Sequence, residues 1–209
     1  MKIAFALYEG FTLLDIVGPF QVLSALPGVE AAFVGQRRGG VRDHTGVTAL
    51  EATRSFDDFR DPDVIVVPGG IGTMKVVERK DPVIDWIGAV HPATTWTTSV
   101  CTGSLLLGAA GVLQGLEATC HWALLDRLTG FGAKPTPSRV VFQDRIVTAA
   151  GVSSGIDMAL ALAARMQGDT IAQAIQLAIE YDPQPPFDAG SPAKAPAAAV
   201  EIVRSLGLE

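Results

Sequence analysis

The sequence predicts an α/β fold: a buried, mostly parallel central sheet with helices on both faces. Three observations predict it. Hydrophobic residues make up 48% of the 209 positions, enough for a substantial core. The run Asp63-Val64-Ile65-Val66-Val67-Pro68-Gly69-Gly70 sets four β-branched residues ahead of a tight turn. That pattern marks a strand covered on both faces. A second β-branched segment, 94–100, passes directly into a helical segment, 103–110, that is apolar nearly all round and so belongs inside the molecule.

The elements follow in order. Residues 2–7 read as a first buried strand. They resemble the apolar part of a signal peptide, but the run is short and breaks at Tyr8-Glu9-Gly10 without a small-residue cleavage site. A cytoplasmic protein is expected, and Cys101 and Cys120 fit that compartment without a structural disulfide. Asp15 follows, in the apolar setting Leu13-Leu14-Asp15-Ile16-Val17-Gly18-Pro19, just before a helix reaching about residue 26. Two readings of Asp15 stand side by side. It is an N-cap, with Pro19 in the first helical turn, or it is a partly buried acid whose pKa desolvation raises. Residues 29–34 read as the second strand and 41–50 as a short antiparallel excursion with His44 solvated. Asp57, Asp58, Arg60 and Asp61 form a surface charge cluster.

At the end of the 63–70 strand, Gly69 and Gly70 can bring bare N–H groups close to a ligand. Residues 81–90 read as a helix with Pro82 at its first position and Trp86 on its apolar face. Cys101 sits where the 94–100 strand meets the next helix. Such a turn lifts one side chain to the mouth of the sheet and aims the helix N–H groups at it. A thiol placed there is expected below its free pKa of about 8.5 and becomes a candidate nucleophile. The alternative is a small buried hydrophobe, the commoner state of a free cysteine. In Ala118-Thr119-Cys120-His121-Trp122, His121 reads as a structural histidine on a packed strand in preference to a partner for Cys101. Segments 139–142 and 145–149 read as a strand pair. Gly151-Val152-Ser153-Ser154-Gly155 opens a helix to about residue 166, with Ser153 or Ser154 as cap, and Val152 and Ser153 are placed in the pocket lining. Residues 169–181 and 197–206 complete the helices. The chain 1–209 reads as one domain, with 182–209 as a proline-rich C-terminal extension.

Function classes narrow accordingly. A net charge of −6 argues against nucleic acid as main partner. No apolar run is long enough to span a bilayer. The cysteines and histidines show no metal-ligand spacing.

The motifs Leu-Asp-Ile-Val-Gly-Pro (14–19), Val-Pro-Gly-Gly (67–70), Ser-Val-Cys-Thr-Gly-Ser (99–104), Ala-Thr-Cys-His-Trp (118–122) and Gly-Val-Ser-Ser-Gly-Ile-Asp (151–157) together resemble the ThiJ/PfpI superfamily. Within it the likeness is greatest to the isocyanide hydratase branch, to which the tail 180–192 is also similar. The resemblance implies a flavodoxin-like sandwich related to class I glutamine amidotransferases, a homodimer, Cys101 as nucleophile and Asp15 as the acid facing it. It also implies the backbone N–H groups of Gly70 and Thr102 near the sulfur, with the Thr102 hydroxyl orienting Cys101. The implied activity is that of a hydro-lyase. It converts a small-molecule isocyanide and water into an N-substituted formamide through a cysteine thioimidate, without metal or organic cofactor. Members with protease-type claims carry histidine directly after the cysteine, where this chain has Thr102. Where the hydratases have a glycine-rich run, this chain has Ala149-Ala150-Gly151, a difference that bears on helix mobility rather than chemistry. Two alternatives use the same cysteine: a glyoxalase-type reaction on 2-oxoaldehydes, and a non-enzymatic redox or ligand sensor. Regulators that share this domain carry a further DNA-binding region, for which this chain is too short.

Overall fold

The structure, a computed structural model, describes residues 1–206. Its centre is a sheet built from β1 (Lys2–Ala6), β2 (Glu30–Gly35), β5 (Arg54–Ser55), β6 (Val64–Val67), β7 (Trp96–Val100), β10 (Val140–Gln143) and β11 (Ile146–Ala149). The strand order is β10-β11-β7-β6-β1-β2-β5. Every pairing is parallel except that of β10 with β11. Two small pairs lie outside it: the antiparallel hairpin β3 (Gly39–Arg42) and β4 (Ala49–Ala52), and the parallel pair β8 (Glu117–Ala118) and β9 (Lys134–Pro135). The helices are α1 (Leu13–Leu23), α2 (Thr73–Glu78), α3 (Pro82–Val90), α4 (Gly103–Ala109), α5 (Ser154–Gln167), α6 (Asp169–Ala178) and α7 (Ala197–Ser205). This is the flavodoxin-like sandwich that the motifs imply.

The strands form where β-branched residues can be buried on both faces. All four residues of β6 are buried, and only the first residue of β7 is partly open. Because β1, β6 and β7 are neighbours in register, their carboxyl ends emerge together. That places the Tyr8 turn, the 68–70 turn and Cys101 side by side, at the sheet edge where open α/β folds bind ligands. Behind them Leu105, Leu106 and Leu107 of α4 are fully buried, as an all-round apolar helix requires. Trp86 of α3 packs against Phe56, with ring centroids 4.9 Å apart, and its indole N–H donates to the Phe59 carbonyl at 3.0 Å.

Several local expectations are corrected. Asp15 is not the N-cap of α1 but its third residue; Thr12 holds the cap position. The Thr12 N–H donates to the Gly69 carbonyl at 2.8 Å, and the Asp15 N–H donates back to the Thr12 carbonyl at 3.1 Å, so the helix turns before Asp15 is reached. Pro19 therefore falls inside the helix rather than in its first turn. The N–H that proline lacks is the one that would reach the carbonyl of Asp15. His121 is not on a strand. Strand β8 ends at Ala118, and the His121 Nδ1 accepts the Ala123 N–H at 3.3 Å, opening a 3-10 helix, Trp122–Phe131. Strand β7 starts at Trp96 because His91–Ala93, with its proline, forms a 3-10 turn first. Ser153 precedes α5 without capping it. The expected extension 182–209 includes α7, where the Arg204 guanidinium lies 5.9 Å from the Trp122 ring centre; its final three residues lie outside the described ones.

Gly103 is fixed by the crossing of α4 over β6. A Cβ there would lie 2.9 Å from the Pro68 carbonyl carbon and oxygen and closer still to the Val67 oxygen, and backbone on that side cannot yield. Gly103→Ala is expected to cost at least about 2 kcal/mol, read as a lower urea midpoint at unchanged m-value. A midpoint equal to wild type would show that the crossing has slack.

Candidate active site

The chain leaves β7 through an unusual backbone. Cys101 has φ of +58°, a left-handed conformation that costs a residue with a Cβ about 1–2 kcal/mol. The cost is met locally, since its N–H is held between the Ala149 carbonyl at 3.0 Å and the Ala150 carbonyl at 2.8 Å. The turn presents the sulfur to two backbone N–H groups, those of Thr102 and Val152. Gly70 does not join them, contrary to expectation. Its N–H donates to the Thr102 Oγ1 at 2.9 Å instead.

The electrostatics of the thiol also differ from the sequence argument. Cys101 is only 6% exposed. Burial first, and then the neighbouring Asp15 and Cys120, push the thiol well above its ordinary value, while the Thr102 and Val152 N–H groups pull the other way. A helix start favours a thiolate, but loss of water outweighs it here.

Asp15 is fully buried. Its Oδ2 accepts the Gly69 N–H at 2.9 Å, and its Oδ1 has no partner among the described residues. Burial raises the carboxyl to about 7, against the opposing effects of the Gly69 N–H and of the neighbouring Cys101 thiol. Of the two sequence readings, the buried acid is the one the geometry bears out. The carboxyl is thus poised to take or give a proton near neutral pH, beside a thiol that burial holds protonated.

Around this pair lies a set of buried hydroxyls, of which the sequence singled out only that of Thr102. Thr102 Oγ1 is 2.7 Å from Thr73 Oγ1, and the Thr73 hydroxyl donates to the Gly70 carbonyl at 2.6 Å. The Tyr8 hydroxyl donates to the Pro68 carbonyl at 3.1 Å. The Thr102 hydroxyl is therefore committed to Gly70 and Thr73 and does not orient the sulfur; Thr102 reaches it through its backbone. Thr73 lies 29 positions from Thr102 and carries no local motif, so nothing in the pattern could have flagged it.

The remaining candidates separate. Gly69 binds Asp15 directly, and Val152 faces the sulfur. Ser153 is exposed and accepts a hydrogen bond from Arg139 at 3.3 Å. Arg139 pairs with Asp157, which also accepts from the Tyr181 hydroxyl at 2.8 Å. Ser153 thus belongs to a surface network rather than to the pocket lining. Cys120 is buried and its thiol is pushed up to about 12, chiefly by burial and against the nearby Ser104 hydroxyl. Burial pulls the His121 imidazole down, and its Nδ1 is occupied by Ala123, which fits a structural residue.

Two clefts, of about 400 and 320 Å³, open beyond β2, the first lined by Phe56 and Trp86 and the second by Tyr8, Arg37 and Arg38. Cys101 lines neither, so the candidate site rests on the convergence of Asp15 with Cys101 rather than on cavity size. Among the described residues no cluster of three or more histidine, cysteine or acidic side chains could hold a metal ion, and no helix is long and apolar enough to cross a membrane.

This chain is 44% identical over 204 residues to isonitrile hydratase from Pseudomonas putida, covering 98% of this chain and 89% of the relative. A crystal structure of a ThiJ/PfpI family protein from Pseudomonas syringae superimposes with a TM-score of 0.94 at 38% identity, covering 98% of this chain and 85% of that one. A shorter match, 30% identical over 107 residues, is to the glutathione-independent glyoxalase DJR-1.2 of Caenorhabditis elegans; it covers 51% of this chain and 56% of the relative. Residues 1–165 match the DJ-1/PfpI family as a whole. A cysteine in a left-handed turn, faced by a buried acid from the first helix, is the centre of a chain that belongs to the DJ-1/PfpI family.

Proposed function

We propose that this protein is an isocyanide hydratase that uses Cys101 as nucleophile and Asp15 as a single acid–base group. The observation that carries the reading is the buried Asp15 carboxyl, raised to about 7, next to a thiol that burial pushes well above its ordinary value. General acid–base catalysis works best when the group titrates near the working pH.

In the proposed reaction Asp15 takes the Cys101 proton as the sulfur bonds to the terminal isocyanide carbon. The same proton passes to that carbon, giving an enzyme-bound thioimidate with an N=CH–S linkage. Asp15, ionised again, takes a proton from water as the hydroxide adds to the carbon, and the nitrogen gains that proton. The adduct collapses by C–S cleavage. Its hydroxyl proton returns through Asp15 to the sulfur, and the N-substituted formamide leaves. One isocyanide and one water are consumed, and no electrons are exchanged with a cofactor. The N–H groups of Thr102 and Val152 stabilise the negative sulfur during addition and departure. The same proposal takes the chain as one cytoplasmic domain that forms a homodimer.

A second reading draws on the glyoxalase relative: addition of the thiol to a 2-oxoaldehyde carbonyl. Parallel assays with an aryl isocyanide and methylglyoxal, with intact-mass analysis of the protein over time, separate the two. Formamide, with a transient adduct at Cys101, supports hydration. A clear preference for methylglyoxal replaces it with the glyoxalase reading. An adduct without either product leaves a reactive thiol and favours a sensor.

A further inference from the structure

The hydroxyls beside the pair form a closed circuit on one residue. The Gly70 N–H donates to Thr102 Oγ1 at 2.9 Å, Thr102 and Thr73 oxygens are 2.7 Å apart, and the Thr73 hydroxyl returns to the Gly70 carbonyl at 2.6 Å. The one assignment of hydrogens that satisfies all three runs N–H to Thr102, Thr102 O–H to Thr73, Thr73 O–H to the carbonyl. Both backbone groups of Gly70 are thereby fixed by side chains from α2 and from the turn at Cys101. One residue earlier, the Pro68 carbonyl accepts the Tyr8 hydroxyl, which also lies within reach of Thr73. Thr73 is 1% exposed and Tyr8 4%, so no water stands ready to replace either.

Between these two clamped residues lies Gly69. Its N–H donates to Asp15 Oδ2 at 2.9 Å, and its carbonyl accepts the Thr12 N–H that starts α1 at 2.8 Å. Gly69 thus touches the acid twice, through the carboxylate and through the helix that carries it. We infer that Tyr8 and Thr73 are positioning residues: by clamping the 68–70 turn they keep the Gly69 N–H on Asp15 and so set the pH at which the Asp15–Cys101 pair releases its first proton. The inference rests on the proposed acid–base role of Asp15. The titratable groups that act on Asp15 or are acted on by it are Cys101, Tyr8 and Cys120. Neither Tyr8 nor Cys120 ionises near neutrality, because burial raises both, so the Gly69 N–H is the adjustable influence.

The test reads the pair without any isocyanide. The pH dependence of Cys101 alkylation by iodoacetamide should show a lower step, where the pair becomes singly protonated, and a higher one, where the thiol itself ionises. Loss of a hydrogen bond to a carboxylate raises its pKa. Thr73→Val should therefore move the lower step upward by about half a pH unit or more, Tyr8→Phe should move it in the same direction, and Thr73→Ser should restore the wild-type profile. In an Asp15→Asn background, Thr73→Val should move nothing. A lower step unmoved in both variants, or a thiol step that Thr73→Val moves by the same amount in the Asp15→Asn background, overturns the inference. If Thr73→Val does not fold by circular dichroism, Tyr8→Phe decides alone. Failure of the hydratase reading would show separately, as wild-type protein that makes no formamide.

Discussion

Cys101→Ala should make no formamide above background, a loss on the order of 10⁵-fold or more, because every proposed covalent step uses the sulfur. Folding should be little affected. Alanine keeps the Cβ, so the backbone cost at φ +58° is unchanged, and the volume lost is one sulfur at a site 6% exposed. The change should therefore be informative about chemistry rather than stability, with a melting temperature within a few degrees of wild type. The Asp15 carboxyl should titrate still higher in this variant, since the thiol is one of the two groups that hold it down. Formamide production at a rate close to wild type would remove Cys101 from the mechanism.

Asp15→Asn should lower turnover by about 10²- to 10⁴-fold, the range for a positioned acid–base group. It should also make the protein more stable at neutral pH. Folding raises this carboxyl from its ordinary value of 3.8 to about 7, so the folded state holds the proton more tightly than the unfolded chain does. Stability then falls as pH rises through that window, and the full loss is present above it. The shift of about 3 units sets a ceiling of roughly 4 kcal/mol. Asparagine offers Gly69 the same acceptor and has no proton to lose. The melting temperature of the variant minus that of wild type should be near zero around pH 4 and grow to several degrees by pH 8. A difference independent of pH would show that Asp15 is not a raised carboxyl. In wild type, kcat/KM should climb as pH rises through about 7, where Asp15 gains the ability to accept the thiol proton.

Much of the scaffold could be read from local pattern. The four β-branched residues of β6, the junction at Cys101 and the all-apolar α4 are each short-range signals, and each appears where expected. Asp15 was visible as a carboxylate in an apolar run, but its position within α1 depends on Thr12 meeting Gly69, a contact 57 positions away in the chain. The thiol departs from the sequence argument because a helix terminus is a local feature, whereas burial is contributed by every element packed over the turn at Cys101. Ser153 looked like a pocket residue from its place before α5, yet its side chain turns toward Arg139 on β10's approach. Tyr8 and Thr73 lay beyond reach for the same reason as the Thr12–Gly69 contact: their partners are chosen by the fold, and a buried hydroxyl leaves no periodic trace.

The left-handed backbone at Cys101 bears on how the protein would respond to laboratory selection. A glycine at this position escapes the Cβ clash, and an asparagine tolerates it better than cysteine does. A library screened for heat resistance alone would thus be drawn toward Cys101→Gly, and toward Asp15→Asn by the argument above. Both winners would be robust and inert under the proposed chemistry. Directed evolution of this scaffold would have to score product at every round, because survival by itself rewards dismantling the reactive turn.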